Sequence, residues 1–238
     1  MKSLKLLAGI AASATLAFSA PAFADSITLG SSDIGSNFTL NYDGFSDGTT
    51  ISGLTGSSTF TLTGVSGNDY TFDYSVANTS SAPVTGSRIS SFAFNTDPNI
   101  SSATSTGAFA YTTLSSTYPN GIGTVDVCFK DATTGSCAGG GSGGLTLGET
   151  GTGSFVLSFS SPVSALTLSD FYVRYQSIDG VPGISSASGA GSISSTSGGS
   201  TGGTPVPEPG MLGLLGAGLL GLAMARRRSV SPTRALAA

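Results

Sequence analysis

Tyr70-Thr71-Phe72-Asp73-Tyr74-Ser75-Val76 alternates apolar and polar residues without a break. Successive side chains of an extended chain point to opposite faces, so such a stretch buries Tyr70, Phe72, Tyr74 and Val76 and wets the residues between them. The same period of two recurs along the chain: Phe38, Leu40 and Tyr42; Phe60 and Leu62; Phe92 and Phe94; Val125, Val127 and Phe129; Phe155, Leu157 and Phe159; Phe171, Val173 and Tyr175. Gly, Asn, Asp and Ser separate these runs, as turn residues do. No stretch between them carries an apolar stripe at i, i+3, i+4, i+7. The pattern predicts an all-β fold, an antiparallel β-sandwich that is Ig-like or jelly-roll-like.

Composition agrees with that fold and removes several functions. Charged residues make up 9% of the 238, and there are 35 glycines, which suits strands and loops better than helical surfaces. Of the aromatic residues, all but Phe18 and Phe23 lie between Phe38 and Tyr175. Residues 25–179 are therefore expected to form one domain with one core. In that region the only cations are Arg88, Lys130 and Arg174, against every acid of the chain except Glu208. Nucleic-acid binding needs clustered Lys and Arg, so an acidic domain of this kind argues against it. The chain has no histidine. That excludes Ser-His-Asp and Cys-His nucleophiles and every zinc site that needs an imidazole.

The two ends read differently from the middle. Lys2 and Lys5 precede an apolar stretch over 6–18, and Ala22-Phe23-Ala24 gives the small-x-small pattern that signal peptidase cuts. Residues 1–24 are expected to be a signal peptide, with the mature chain starting at Asp25. Residues 180–204 are rich in Gly and Ser and nearly free of charge. They read as a flexible tether spanning on the order of 25–30 Å. Val206-Pro207-Glu208-Pro209 follows, then an unbroken apolar run over 211–225, then Arg226-Arg227-Arg228. A 15-residue helix is only ~22 Å long against a ~30 Å hydrocarbon core, so flanking residues or local thinning must complete the span. The arginines would stay cytoplasmic by the positive-inside rule, and the domain would face outward. The tail could serve as a permanent anchor or as a processing signal.

This ordered triplet of Val206-Pro207-Glu208-Pro209, apolar helix and Arg226-Arg227-Arg228 closely resembles the PEP-CTERM sorting signal, here spanning 205–229 ahead of a tail at 230–238. The resemblance implies a Gram-negative bacterium that makes exopolysaccharide. It also implies processing near Pro207-Glu208-Pro209 by an exosortase, an integral membrane protease or transpeptidase, after a transient stay in the inner membrane. Proteins of this class are associated with the cell surface, the biofilm matrix or the extracellular space. The paired cysteines, the Gly-rich run after Cys137 and Phe171-Tyr172-Val173-Arg174-Tyr175-Gln176 also resemble the cistern family of PEP-CTERM proteins. That resemblance implies an exported surface protein without a defined activity.

Few residues in the domain point to chemistry. Cys128 and Cys137 are the only cysteines, and a close pair in an exported chain indicates a disulfide. The spacing is not C-x-x-C, and two Cys without His cannot complete a zinc site. Gly139, Gly141 and Gly144 match G-x-G-x-x-G in form, but no amphipathic helix follows and no cation is near, so a loop is expected there. Asn41, Asp43 and Asp47 offer calcium-type oxygen ligands in an order unlike an EF-hand; a solvated hairpin turn is the expected reading. Glu149 is the only Glu of the domain and no Trp exists to stack on sugars, which speaks against a glycosidase. Asn37, Asn78 and Asn99 head N-glycan acceptor triplets, frequent by chance where Ser and Thr abound. The sequence therefore predicts an exported, non-enzymatic surface or matrix protein with no cofactor and no metal. Its expected partners are signal peptidase, an exosortase, the membrane through its apolar tail, and exopolysaccharide. A carbohydrate-binding module using Tyr111, Tyr118 or Tyr172 as stacking groups is the rival reading, with a glycan-active enzyme behind it.

Overall fold

The structure is a computed structural model and describes residues 25–133, 136–140 and 143–201. Among these the chain is all-β, with two short 3-10 turns at Ser31–Asp33 and Gly107–Phe109 and no α-helix. The strands are β1 (Ser26–Gly30), β2 (Asn37–Ser46), β3 (Thr49–Ser66), β4 (Asp69–Asn78), β5 (Gly86–Asp97), β6 (Ser102–Ser105), β7 (Tyr111–Tyr118), β8 (Gly123–Lys130), β9 (Leu145–Thr146), β10 (Thr150–Ser158), β11 (Ala165–Asp179), β12 (Ser186–Thr196) and β13 (Ser200–Thr201). Each alternating run of the sequence lies on one of them. In β4, Tyr70, Phe72, Tyr74 and Val76 are buried, and the residues between are not. Asp47 and Gly48 both have positive φ, 48° and 75°. This two-residue link between β2 and β3 is the type I′ geometry whose twist suits a tight hairpin, and Asp-Gly supplies it.

The expected all-β antiparallel fold forms, but its strands join in one nearly closed sheet rather than in two separate layers. All pairings are antiparallel and belong to one sheet, in the order β6-β10-β4-β3-β2-β12-β11-β5-β8-β7. β12 is the reason: it pairs with β2 on one side and β11 on the other. Without it, β6-β10-β4-β3-β2 and β11-β5-β8-β7 would face each other as separate layers. At the far ends of the path, β6 and β7 approach each other, and the Thr112 hydroxyl donates to the Ala103 carbonyl at 3.1 Å. The sheet is thus a nearly closed barrel.

β12 also corrects the expected tether. Residues 186–196 lie inside the sheet, and 200–201 form β13, which pairs with β1. Small residues make this possible. Gly189 stands where a Cβ would come within 2.8 Å of both Tyr175 and Val173, and at Gly191 a Cβ would come within 2.7 Å of the Tyr42 ring. The segment is Gly/Ser-rich because large rings on both neighbouring strands occupy the space its side chains would need. Residues 202–204 lie outside the described residues, as do 1–24 and 205–238, where the signal peptide and the apolar helix were expected.

The barrel interior is filled by aromatic rings. Phe60 of β3 reaches across to Phe92 and Phe94 of β5 and Phe171 of β11, with ring centroids 5.5, 6.3 and 6.4 Å away. Phe92 stacks on Phe129 at 4.9 Å, and Phe129 on Phe155 at 4.7 Å. Aromatic pairs at these separations each add about 0.5–1.5 kcal/mol beyond the area they bury. A second, smaller apolar cluster contains Ala93, Tyr118, Val125 and both cysteines.

Candidate functional site

Two places in the domain carry more than packing: a polar layer over β5, and the fork where β1, β12 and β13 meet. The polar layer begins with β5, which is buried along nearly all its length on both faces. Ile89, Phe92 and Phe94 face the main core. The other face holds Arg88, Ser90 and Ser91 beneath the described parts of the loop after β8. Cys128 and Cys137 are joined by a disulfide, with Cα atoms 5.9 Å apart, so the expected bond is present. Ser91 Oγ donates to the Cys137 carbonyl at 2.6 Å, and Ser90 Oγ to the Ala138 carbonyl at 2.9 Å. Arg88 donates to the carbonyls of Gly140 at 2.6 Å and Gly143 at 2.7 Å, and to Ser177 Oγ at 3.2 Å. It also forms an ion pair with Asp131 at 3.5 Å, while Asp131 accepts from the Gly140 N–H at 2.9 Å. A buried guanidinium satisfied this fully acts as a structural pin.

The other two cations of the domain are buried as well. Lys130 is 2% exposed and donates to Thr113; burial lowers its pKa. Arg174 is 8% exposed and donates to Ser186 at 2.8 Å; burial likewise lowers its pKa. Among the described residues every Lys and Arg is therefore interior, while Asp43, Asp47, Asp73, Asp97, Glu149 and Asp179 stand exposed. Among the described residues the accessible charge is therefore negative only.

The second place is where the ends meet. β1 runs antiparallel to β11, and β13 runs antiparallel to β1, with Ile27 opposite Thr201 and Thr28 opposite Ser200. Asp25, the expected first residue of the mature chain, accepts from the Ile193 N–H of β12 at 2.6 Å. β11 pairs with β12 through Tyr172 to Gln176 and with β1 through Ala165 to Ser169, so the sheet forks between β12 and β1. A cleft of about 290 Å³ opens in this fork, lined by Asp25, Ser26, Ile193, Thr196 and Thr201 among others.

The remaining sequence candidates fall as follows. Asp47 lies in the exposed hairpin turn, as expected, but Asn41 and Asp43 are not part of it: they lie exposed within β2, paired with β3 and β12. Tyr118 is not a surface residue: it is 1% exposed, and its ring lies 5.7 Å from that of Tyr172. Tyr111 is 43% exposed. Gly139 and Gly144 pack against the backbone of β5 and lead into no helix. Ala22, Ala24, Val206, Pro207, Glu208, Pro209, Arg226, Arg227 and Arg228 lie outside the described residues. Among the described residues no helix is long and apolar enough to cross a membrane.

Comparison with known families places one match on the chain. Residues 205–228 match the model described as the PEP-CTERM protein-sorting motif. The match includes Pro207-Glu208-Pro209, the apolar run and the arginine cluster, and does not reach the barrel. No curated protein and no solved structure matches the chain.

Proposed function

Because this chain carries a PEP-CTERM protein-sorting motif, a signal recognised by exosortase, we propose that it is an exported, non-enzymatic protein of the cell surface or extracellular matrix. The motif at 205–228 is the observation that carries the reading. The domain supports it in kind. Its interior is packed with rings, and its accessible charge is all negative, which favours a hydrated, self-repelling surface in a polysaccharide matrix. Its three cations are used internally: Arg88 holds the loop after β8, Lys130 bonds Thr113 of β7 and Arg174 bonds Ser186 of β12. The cistern-like features of residues 128–176 fit the same reading.

The delivery route follows from the ends. Signal peptidase cuts before Asp25, the apolar run over 211–225 halts in the inner membrane, and exosortase cuts near Pro207-Glu208-Pro209. Fractionation of cells with and without their exosortase tests the route. With the enzyme, the barrel is recovered from the surface or medium without its arginine cluster. Without it, the full-length precursor stays in the inner membrane. Recovery of the same surface form from both strains removes the reading. A carbohydrate-binding role would fall to Tyr111 and Tyr172, since Tyr118 is interior; a polysaccharide pull-down with the purified barrel tests it.

A further inference from the structure

We propose that a cleft at the end of the polar layer over β5 is a binding site for a neutral saccharide, in which Asp179 takes the sugar hydroxyls and Leu147 the apolar face of the ring. The inference rests on the carbohydrate-binding reading above, but places the ligand where neither Tyr111 nor Tyr172 lines the wall. It does not depend on the sorting route.

The cleft lies where the start of β5 and the end of β11 meet the turn after β9, and it encloses about 450 Å³. Small-ligand sites usually hold about 300–1,000 Å³. Local features of the chain shape it. At Gly86 a Cβ would come within 2.8 Å of Asp179 Oδ2, so the glycine lets that carboxylate lie against the strand. β11 slips register against β5 between Gln176 and Asp179, with Ser177 at φ 50°. Such a bulge re-aims a side chain, and Ser177 stands exposed. In the turn after β9, Gly148 has φ 82° and Leu147 is 40% exposed. The chemistry of the lining then selects the ligand. Arg88 also lines the cleft, but its N–H donors are spent on Ser177 Oγ, Asp131, Gln176 Oε1 and the carbonyls of Gly140 and Gly143. Among the described residues of the lining, no cation is left to receive a phosphate or a carboxylate, and Asp179 repels one. Ser177 Oγ accepts from Arg88, so its own proton can donate into the cleft. Thr85 and Thr146 bring the exposed hydroxyls to three, beside one carboxylate and one exposed apolar side chain. Calcium takes about 6–8 oxygen ligands, usually with several carboxylates, so a single Asp does not make its site. The set matches an uncharged ligand with many hydroxyls and a C–H face. A sugar ring is one: adjacent hydroxyls donate to a carboxylate, and the C–H face loses water against Leu147.

The test is affinity electrophoresis of the full chain, purified in a zwitterionic detergent without a sugar headgroup. The gels contain neutral polymers of glucose, galactose or mannose, or polygalacturonate as the acidic counterpart. At least one neutral polymer is expected to retard the parent, and polygalacturonate is expected not to. Asp179→Asn and Leu147→Ser alter exposed side chains, so both variants should keep the parental near-ultraviolet circular dichroism. Each is expected to weaken the retardation at least about tenfold, the scale of a lost charged hydrogen bond or a lost apolar contact. Tyr111→Ser is expected to bind like the parent. Retardation that Asp179→Asn and Leu147→Ser spare but Tyr111→Ser abolishes overturns the cleft and leaves carbohydrate binding to the tyrosines. Retardation by polygalacturonate as strong as by the neutral polymers overturns the assignment to neutral sugars. A parent that no neutral polymer retards overturns the cleft and the carbohydrate-binding reading together.

Discussion

Tyr42, Tyr118 and Tyr175 illustrate what burial does to single residues here. All three hydroxyls lie in the interior, and burial pushes each well above the ordinary tyrosine range. A raised pKa in the folded state leaves stability whole below the unfolded value of about 10; above it, the unfolded chain releases protons that the folded chain keeps. Stability should therefore fall as pH rises past about 10. With no Trp in the chain, absorbance near 295 nm reports tyrosine alone. We expect these tyrosines to ionise in one step that coincides with loss of near-ultraviolet circular dichroism; a smooth ionisation in folded protein would contradict their burial. At Gly189 the packing leaves no room for a side chain. Gly189→Val should cost about 1–3 kcal/mol in denaturant unfolding, whereas Ala190→Val, on the exposed face, should stay within about 0.5 kcal/mol. Arg88→Met leaves Asp131 buried without its cation and should cost about 3–5 kcal/mol.

Among elements, β12 decides most. Period-two runs such as Tyr70 to Val76 show their strands because alternation of large and polar side chains survives in the sequence alone. β12 hides because its inward residues, Ala187, Gly189 and Gly191, are shaped by rings on other strands; on its own it reads as a linker. The expected all-β antiparallel fold held, while its division into two sheets did not, since one unnoticed strand joins the two layers into one nearly closed sheet. The disulfide was legible from cysteine count and compartment. The fork of the two ends was not, because it depends on β13 reaching β1. Two truncations test β12. Protein covering 25–201 should fold cooperatively, whereas 25–180, the domain plus one residue by the sequence reading, should not. Equal stability of the two would restore the tether. Loss of the Cys128–Cys137 bond is a milder change: closing so short a loop stabilises by about 2.5 kcal/mol in the chain-entropy model, and Cys128→Ser should lower stability by up to that amount.

For the whole molecule, the sequence motif and the barrel make separate claims on maturation. Intact mass of surface protein should start at Asp25 and end near Pro207; a mass retaining 211–228 would indicate a permanent anchor. On the proposed route Arg226, Arg227 and Arg228 hold the C-terminus in the cytoplasm, so replacing them by Ser should let unprocessed chain escape into the periplasm. Glu208→Ala should leave the precursor in the inner membrane, uncut. The two failures differ in compartment, so fractionation separates them.

The position of β12 has one more consequence, in time rather than space. Export proceeds from the N-terminus, so this strand, central in the sheet, is among the last to cross. Until it arrives, β2 and β11 present long open edges to the periplasm, where a neighbouring chain's 186–196 could fill the gap as readily as its own. Secretion rate and chaperone supply, more than final stability, would then govern the yield of monomer, and faster expression should raise the share of swapped dimers.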